Sequence, residues 1–205
     1  MPATMRPARP DDRAAPRLLY VSAQPYYDAF AGAPGRAVRL LERIWAKPGH
    51  TASHELCRVA VLAGDPVGAM VAFPAADGDA LARRFLSLAL VRMPVWRWPA
   101  VLRHLRAAAT VMPVPSERSL YVDALAVDAA ARRRGVATAL LEDAMQLAGR
   151  RGLRGVALDT GLNNHAAQAL YEACGFEAVG ERRAPDERVA RAVGGPGFVS
   201  YFKPV

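Results

Sequence analysis

An α/β fold built on a mixed sheet is predicted for this 205-residue chain by three observations. Helix-like and strand-like segments alternate along its length, the middle holds a strand–turn–helix unit, and the end carries strand-like runs joined by turns. In the central unit, "SLYVDALAV" (119–127) is rich in β-branched and apolar residues and has the length of a strand. After it, Val136, Leu140, Leu141, Ala144, Leu147 and Ala148 recur at spacings of three and four, the stripe of a helix predicted over 133–149.

The other elements follow in chain order. Residues 4–9 read as a short strand, and a helix is expected to open at Asp11 or Asp12, broken at Pro25. Residues 35–47 have helical spacing up to Pro48-Gly49, and "ELCRVAVLAGDPVGAMVAF" reads as two strands around Gly64-Asp65-Pro66. Residues 79–112 hold two helical stretches separated by Met93-Pro94 and Trp98-Pro99. "LRGVALDTG" is a strand, "NNHAAQALYEAC" a helix ended by Gly175, and "FEAVGERR" and "FVSYFKP" are the closing strands.

Composition narrows the function. The length suits one domain with a sizeable core, so residues 1–205 are read as a single unit. The start lacks the apolar core of a signal peptide and no run is long enough to span a bilayer, so a cytoplasmic protein without a membrane partner is expected. Two cysteines, Cys57 and Cys174, give no disulfide framework, and no metal-ligand spacing is present. The net charge of +8 suits an anionic ligand. The arginines are scattered and no zinc-finger or aromatic RNA-binding motif accompanies them, so no nucleic-acid partner is expected.

Chemistry concentrates where Arg132, Arg133 and Arg134 precede Gly135 and Ala137 at the start of the central helix. The first turn of a helix has unpaired backbone N–H groups and partial positive charge, and small residues let an anion approach them. Taken alone, the run is also compatible with a solvated basic face around a packing glycine.

A second motif distinguishes the two. Arg132, Gly135 and Ala137, followed by Asn164, Ala167, Leu170, Tyr171, Gly175 and Phe176, reproduce in order and spacing the two signatures of the GNAT superfamily of acyl-CoA-dependent N-acyltransferases, which this chain resembles over roughly residues 119–180. Residues 1–75 fit the family in element order only. The resemblance implies a mostly antiparallel central sheet flanked by helices, with 79–112 a helical insertion between the third and fourth core strands. It implies acetyl-CoA as cosubstrate, no metal, and a pyrophosphate held by the amides of Arg133, Arg134, Gly135, Val136, Ala137 and Thr138. The backbone of Leu125, Ala126 and Val127 would pair with pantetheine like an added strand, and Asn164 and Tyr171 would address the same ligand from one helix face. Tyr171 matches the family's general acid; Asp123 and Asp159 compete for the role of base.

Acyl transfer also dictates requirements of its own. At pH 7 an amine of pKa ~10.4 is neutral in about one molecule in 2,500, so a base matters. A phenol near pKa 10 passing its proton to a thiolate near 8.5 goes uphill by about 2 kcal/mol, so Tyr171 must be tuned or share a proton. By strand alternation Asp123 is expected on the side of Tyr121 and Leu125. The acceptor, a small-molecule or peptide amine, is not legible, and neither is a homodimer contact. A silent acyl-CoA-binding regulatory module is the competing reading. The insertion, with Trp96 and Trp98, is read either as a roof over the acceptor side or as added core or dimer contact.

Overall fold

In the computed structural model, which describes residues 3–205, seven strands form one sheet in the order β1-β2-β3-β4-β5-β7-β6. The strands are β1 (Thr4–Pro7), β2 (Cys57–Leu62), β3 (Asp65–Pro74), β4 (Leu120–Val127), β5 (Gly155–Gly161), β6 (Glu177–Arg183) and β7 (Gly197–Pro204). All neighbours are antiparallel except β4 and β5, which run parallel. The mixed, mostly antiparallel sheet expected from the sequence is therefore present, with the insertion between the third and fourth strands.

The helices divide between the two faces of the sheet. On one face, α1 (Ala15–Ser22), α2 (Gln24–Ala31) and α3 (Pro34–Ile44) enclose Leu18, Leu19, Ala31 and Leu41 against Val59, Val71, Ala124 and Ala126. On the other, α6 (Val136–Arg150) and α7 (His165–Ala173) bury Val136, Leu140, Leu141 and Tyr171 against Leu120, Val122, Val156 and Tyr201. Gly68 on β3 makes the close approach of α6 feasible, since a Cβ there would lie 2.9 Å from Val136 Cγ1. A partly buried ion pair ties α6 to β2, Arg58 donating to both Asp143 carboxylate oxygens at 2.7 and 2.9 Å.

The insertion forms α4 (Gly78–Leu90) and α5 (Trp98–Ala109), joined through a 3₁₀ turn at Val95–Arg97. Their inner side, with Leu88, Ala89 and Val101, packs on Phe30, Leu40 and Ile44. α5 also packs on α8 (Glu187–Val193), a helix the sequence reading missed. Its signal was there: Asp186 caps it, accepting from Val189 N–H at 2.8 Å, and Gly194 ends it at φ 82°.

Two helix starts move for identifiable reasons. α1 begins at Ala15, because Asp12 is occupied by Arg6 at 2.6 and 2.7 Å and by the Arg9 N–H at 2.6 Å. α6 begins at Val136 rather than 133, because Arg133 (φ 59°) and Gly135 (φ 75°) take left-handed conformations that turn the chain before the helix. Cys174 is half-buried beyond the end of α7.

Candidate active site

The sheet opens where β4 and β5 part. Their parallel pairing covers only Leu120↔Val156, Tyr121↔Ala157 and Val122↔Leu158, after which β5 stays with β7 as far as Gly161 and β4 stays with β3. From Asp123 onward the β5-facing edge of β4 has no strand partner, which exposes the backbone of Leu125, Ala126 and Val127 along one wall of a wedge. Asp123 and Asp159 are the first residues past the last paired step, so the two carboxylates stand at the apex.

A β-bulge sharpens this arrangement. Val71 pairs with Ala124 and Ala72 with Val122, leaving Asp123 as the extra residue on β4. The bulge overturns the expected alternation: Tyr121 packs on the α1–α3 face, whereas Leu125 packs on the α6 face. Asp123 consequently looks toward α2, where Tyr26 and Tyr27 lie close enough to feel its charge. These two tyrosines were missed in the sequence, since they lie about a hundred residues from the motifs and belong to no spacing pattern.

The two carboxylates differ in kind. Burial, and then the charge of Asp159, push the Asp123 carboxyl up to about 7. Asp123 is also open to solvent from the cleft, and water reaching it opposes that shift. Asp159, half-buried opposite Ser200, is raised by burial too, but the Ser200 and Tyr121 hydroxyls and the Arg182 charge hold it down. The influence runs one way because Asp159 ionises first and its charge then resists ionisation of Asp123.

Tyr171 approaches from the opposite face of the sheet. Its ring is buried against Phe176 and Tyr201, with centroids 6.2 and 5.6 Å away. Burial, followed by the charge of Asp159, pushes its phenol up to about 12. The lowering that free proton transfer would need is therefore absent: handing a proton outright to a thiolate near 8.5 would cost about 5 kcal/mol. What the environment favours is a phenol that stays protonated and donates a hydrogen bond.

The loop before α6 is exposed. Arg132, Arg133, Arg134 and Gly135 are exposed, and Arg132 folds back to donate to the Val127 carbonyl at 3.2 Å. A Cβ on Gly135 would meet nothing within 4 Å, so open space faces the amides at the helix start. Ala137 and Thr138 follow, half-buried, with Thr138 Oγ1 3.9 Å from Cys174 Sγ. Asn164 departs from the expectation that it shares a helix face with Tyr171. It is the N-cap of α7, accepting from Ala167 N–H at 3.3 Å and donating to Thr160 Oγ1 at 3.1 Å. Its side chain is thus engaged in holding the β5–α7 turn beside Asp159. No group of three or more metal-ligating side chains occurs among the described residues.

The insertion reaches this site only indirectly. His104 on α5 stacks on Tyr26 with ring centroids 4.7 Å apart, while Trp96 is exposed at the far turn and Trp98 donates to the Leu90 carbonyl at 3.2 Å. Of the insertion it is His104, rather than Trp96 or Trp98, whose ring meets an aromatic ring beside Asp123. Trp96 and Trp98 are exposed, and the inner residues of α4 and α5 pack on α2 and α3.

The architecture is that of acetyltransferases of known structure. An N-acetyltransferase from Staphylococcus aureus Mu50 superposes with a TM-score of 0.73 over 98% of this chain and 100% of its own, at 18% identity. Another acetyltransferase does so with a TM-score of 0.71 over 98% and 99%, at 19% identity. At such identities the likeness concerns the fold. In sequence, the chain is 39% identical to human N-acetyltransferase 8 over 69 residues, 34% of this chain and 30% of that protein's length. The profile of the Acetyltransferase (GNAT) family matches residues 22–176. The chain belongs to that family.

Proposed function

We propose that the protein is an N-acetyltransferase that moves an acetyl group from acetyl-CoA to a primary amine by direct attack. The observation that carries this reading is the parting of β4 and β5 with a carboxylate on each strand at its apex. A thioester supplies the acyl group. The residues present suit such a cosubstrate: an anion-accepting loop at Arg133–Thr138, and an unpaired β4 edge at Leu125–Val127 that an extended pantetheine chain can line.

The opening separates the two reactants by face. Asp123, Asp159, Tyr121, Tyr26 and Tyr27 meet the acceptor from the α1–α3 side, where carboxylates and aromatic rings suit a cation. Asp123 near pKa 7 is matched to take a proton from the ammonium, directly or through water, because the efficient base lies near the working pH. Asp159, ionised at lower pH, holds the incoming charge and keeps Asp123 basic. Tyr171 faces the leaving sulfur and donates a hydrogen bond, while the acylated ammonium gives its remaining proton to the departing thiolate, which leaves as the thiol, and Asp123 passes the proton it took to water.

Release of free CoA in the presence of an amine panel tests the reading. Turnover with a primary amine, lost in Asp123→Asn with CoA binding retained, is the expected result. CoA binding with no turnover on any amine would instead make the chain a silent acyl-CoA-binding module.

A further inference from the structure

Outside the β4–β5 opening the molecule carries a feature that acetyl transfer does not use. A cavity of about 90 Å³ between α3 and the α4–α5 turn is lined by Arg36, Arg39, Arg43, Arg92 and Arg97, with Met93 and Pro94, and by no acidic residue. Arg36, Arg39 and Arg43 share one face of α3 by their spacing of three and four. None of the five is in an ion pair among the described residues, and Glu42 on the same helix is engaged by Arg17. Arg97 is held over Gly32, its Nη2 only 3.4 Å from the Phe30 carbonyl, and its enclosed Nε has no partner. Such a cluster of like charges is stabilised when an anion enters it.

The rim of this cavity is apolar and projects outward. Val91 is 75% exposed, Val95 66% and Trp96 77%, and Trp98 and Leu102 continue the patch along α5. Five of the nine large hydrophobic side chains that are exposed among the described residues fall in this one twelve-residue stretch. Clustered exposure of this kind marks a contact surface.

We propose that the α4–α5 turn is a peripheral docking surface for an anionic lipid bilayer, with a lipid phosphate in the arginine cavity and Trp96, Val95 and Val91 entering the interfacial layer. Two complementarities select this occupant. Tryptophan and aliphatic side chains flanked by arginine suit the boundary between headgroups and acyl chains. The cavity offers guanidinium groups, which hydrogen-bond phosphate oxygens in pairs. A soluble phosphate would leave the apolar rim in water. A second copy joined through the same patch would bring two uncompensated arginine sets together. A groove-binding acidic protein would need concave apolar walls, whereas these side chains stand out from a turn. No helix among the described residues is long and apolar enough to cross a membrane, and the contact proposed is superficial. The absence of a spanning run, on which the expectation of no membrane partner rests, does not bear on such a contact.

Vesicle flotation at low salt tests the proposal, with phosphatidylcholine alone compared with phosphatidylcholine holding about 30% phosphatidylglycerol. Binding is expected to the anionic vesicles only, lost at about 0.5 M salt, with a blue shift in tryptophan emission that Trp96→Phe removes. Arg39→Ala and Arg43→Ala should each weaken binding about fivefold, and Trp96→Ala should weaken it further, with melting temperatures unchanged. Failure to bind anionic vesicles overturns the proposal. So does binding that these variants leave intact, which would assign it to the net charge at large. Stabilisation by inorganic phosphate without vesicle binding would make the cavity a soluble-anion site. A dimer lost in Trp96→Ala without vesicle binding would make the patch a self-contact, and either outcome ends the lipid assignment.

Discussion

Asp123 and Asp159 occupy adjacent positions on parallel strands, one residue beyond the last pair that joins those strands, Val122 and Leu158. Each carboxylate raises a question of proton occupancy that the other answers: Asp159 ionises first, and its charge helps to lift Asp123 to about 7.

The pH dependence of turnover should follow Asp123. With its carboxyl lifted, kcat/KM should rise as pH passes through about 7 and level off above it. On the same acceptor, so that the amine's own ionisation cancels, Asp123→Asn should remove that limb, whereas Asp159→Asn should move it to lower pH by withdrawing the neighbouring charge. Stability carries the same signature with a definite sign. The folded state holds a proton that the unfolded chain releases near 3.9, so this group's contribution falls as pH rises from about 4 to 7. Asp123→Asn should flatten that fall in a urea titration. Identical pH profiles for wild type and Asp123→Asn would remove Asp123 from the mechanism.

Gly135 should separate strain from ligand loss. CoA at a hundredfold above Kd should raise stability by about 2.7 kcal/mol. Gly135→Ala should cost roughly 1 kcal/mol, because φ is 75° there, yet keep the CoA response, since open space surrounds the new Cβ. Gly135→Glu should abolish the response by putting negative charge where the pyrophosphate is proposed to lie. A CoA-dependent shift in melting temperature that survives in the Glu variant would place the anion elsewhere.

Tyr171→Phe keeps the ring that packs on Phe176 and Tyr201 and removes only the hydroxyl. CoA affinity should be nearly unchanged and turnover should drop by roughly a hundredfold. Because the phenol is held well above its ordinary range, no pH limb should belong to it below about 10, which a wild-type profile checks. An unaltered rate would leave Tyr171 a packing residue.

Asp143 supplies a contrast remote from the cleft. Asp143→Ala leaves Arg58 without its partner beneath α6 and should lower stability by about 3 kcal/mol in chemical denaturation, with KM for both substrates unchanged in the folded fraction. A change below about 0.5 kcal/mol would mean that water satisfies Arg58 as well as the carboxylate does.

Most elements were legible because their signals are local. The periodicity of α6, the β-branched and apolar composition of β4 and the Gly64-Asp65-Pro66 turn are each signals carried by residues close together in the chain. α8 was equally local, but its seven residues between the Ala184-Pro185-Asp186 turn and the Gly194-Gly195 turn are too few for a convincing stripe. The candidate site was legible in part. The loop at Arg132–Thr138 and the position of Tyr171 carry their own spacing, whereas Asn164 became a cap because the first turn of α7 needed an acceptor for Ala167 N–H.

By itself the sequence determined the family, the alternating elements, the place of the insertion and the position of the candidate Arg132–Thr138 loop, since these depend on residue types at short separations. Only the tertiary structure decided which groups meet. The bulge at Asp123 turns that side chain toward α2, the loss of pairing after Val122 opens the wedge, and packing of α2 on the sheet brings Tyr26 and Tyr27 to the carboxylate. Register and burial are properties of strands and helices packed together. A single extra residue in a ladder reverses the faces of every residue beyond it, and no local pattern in β4 announces which residue that is.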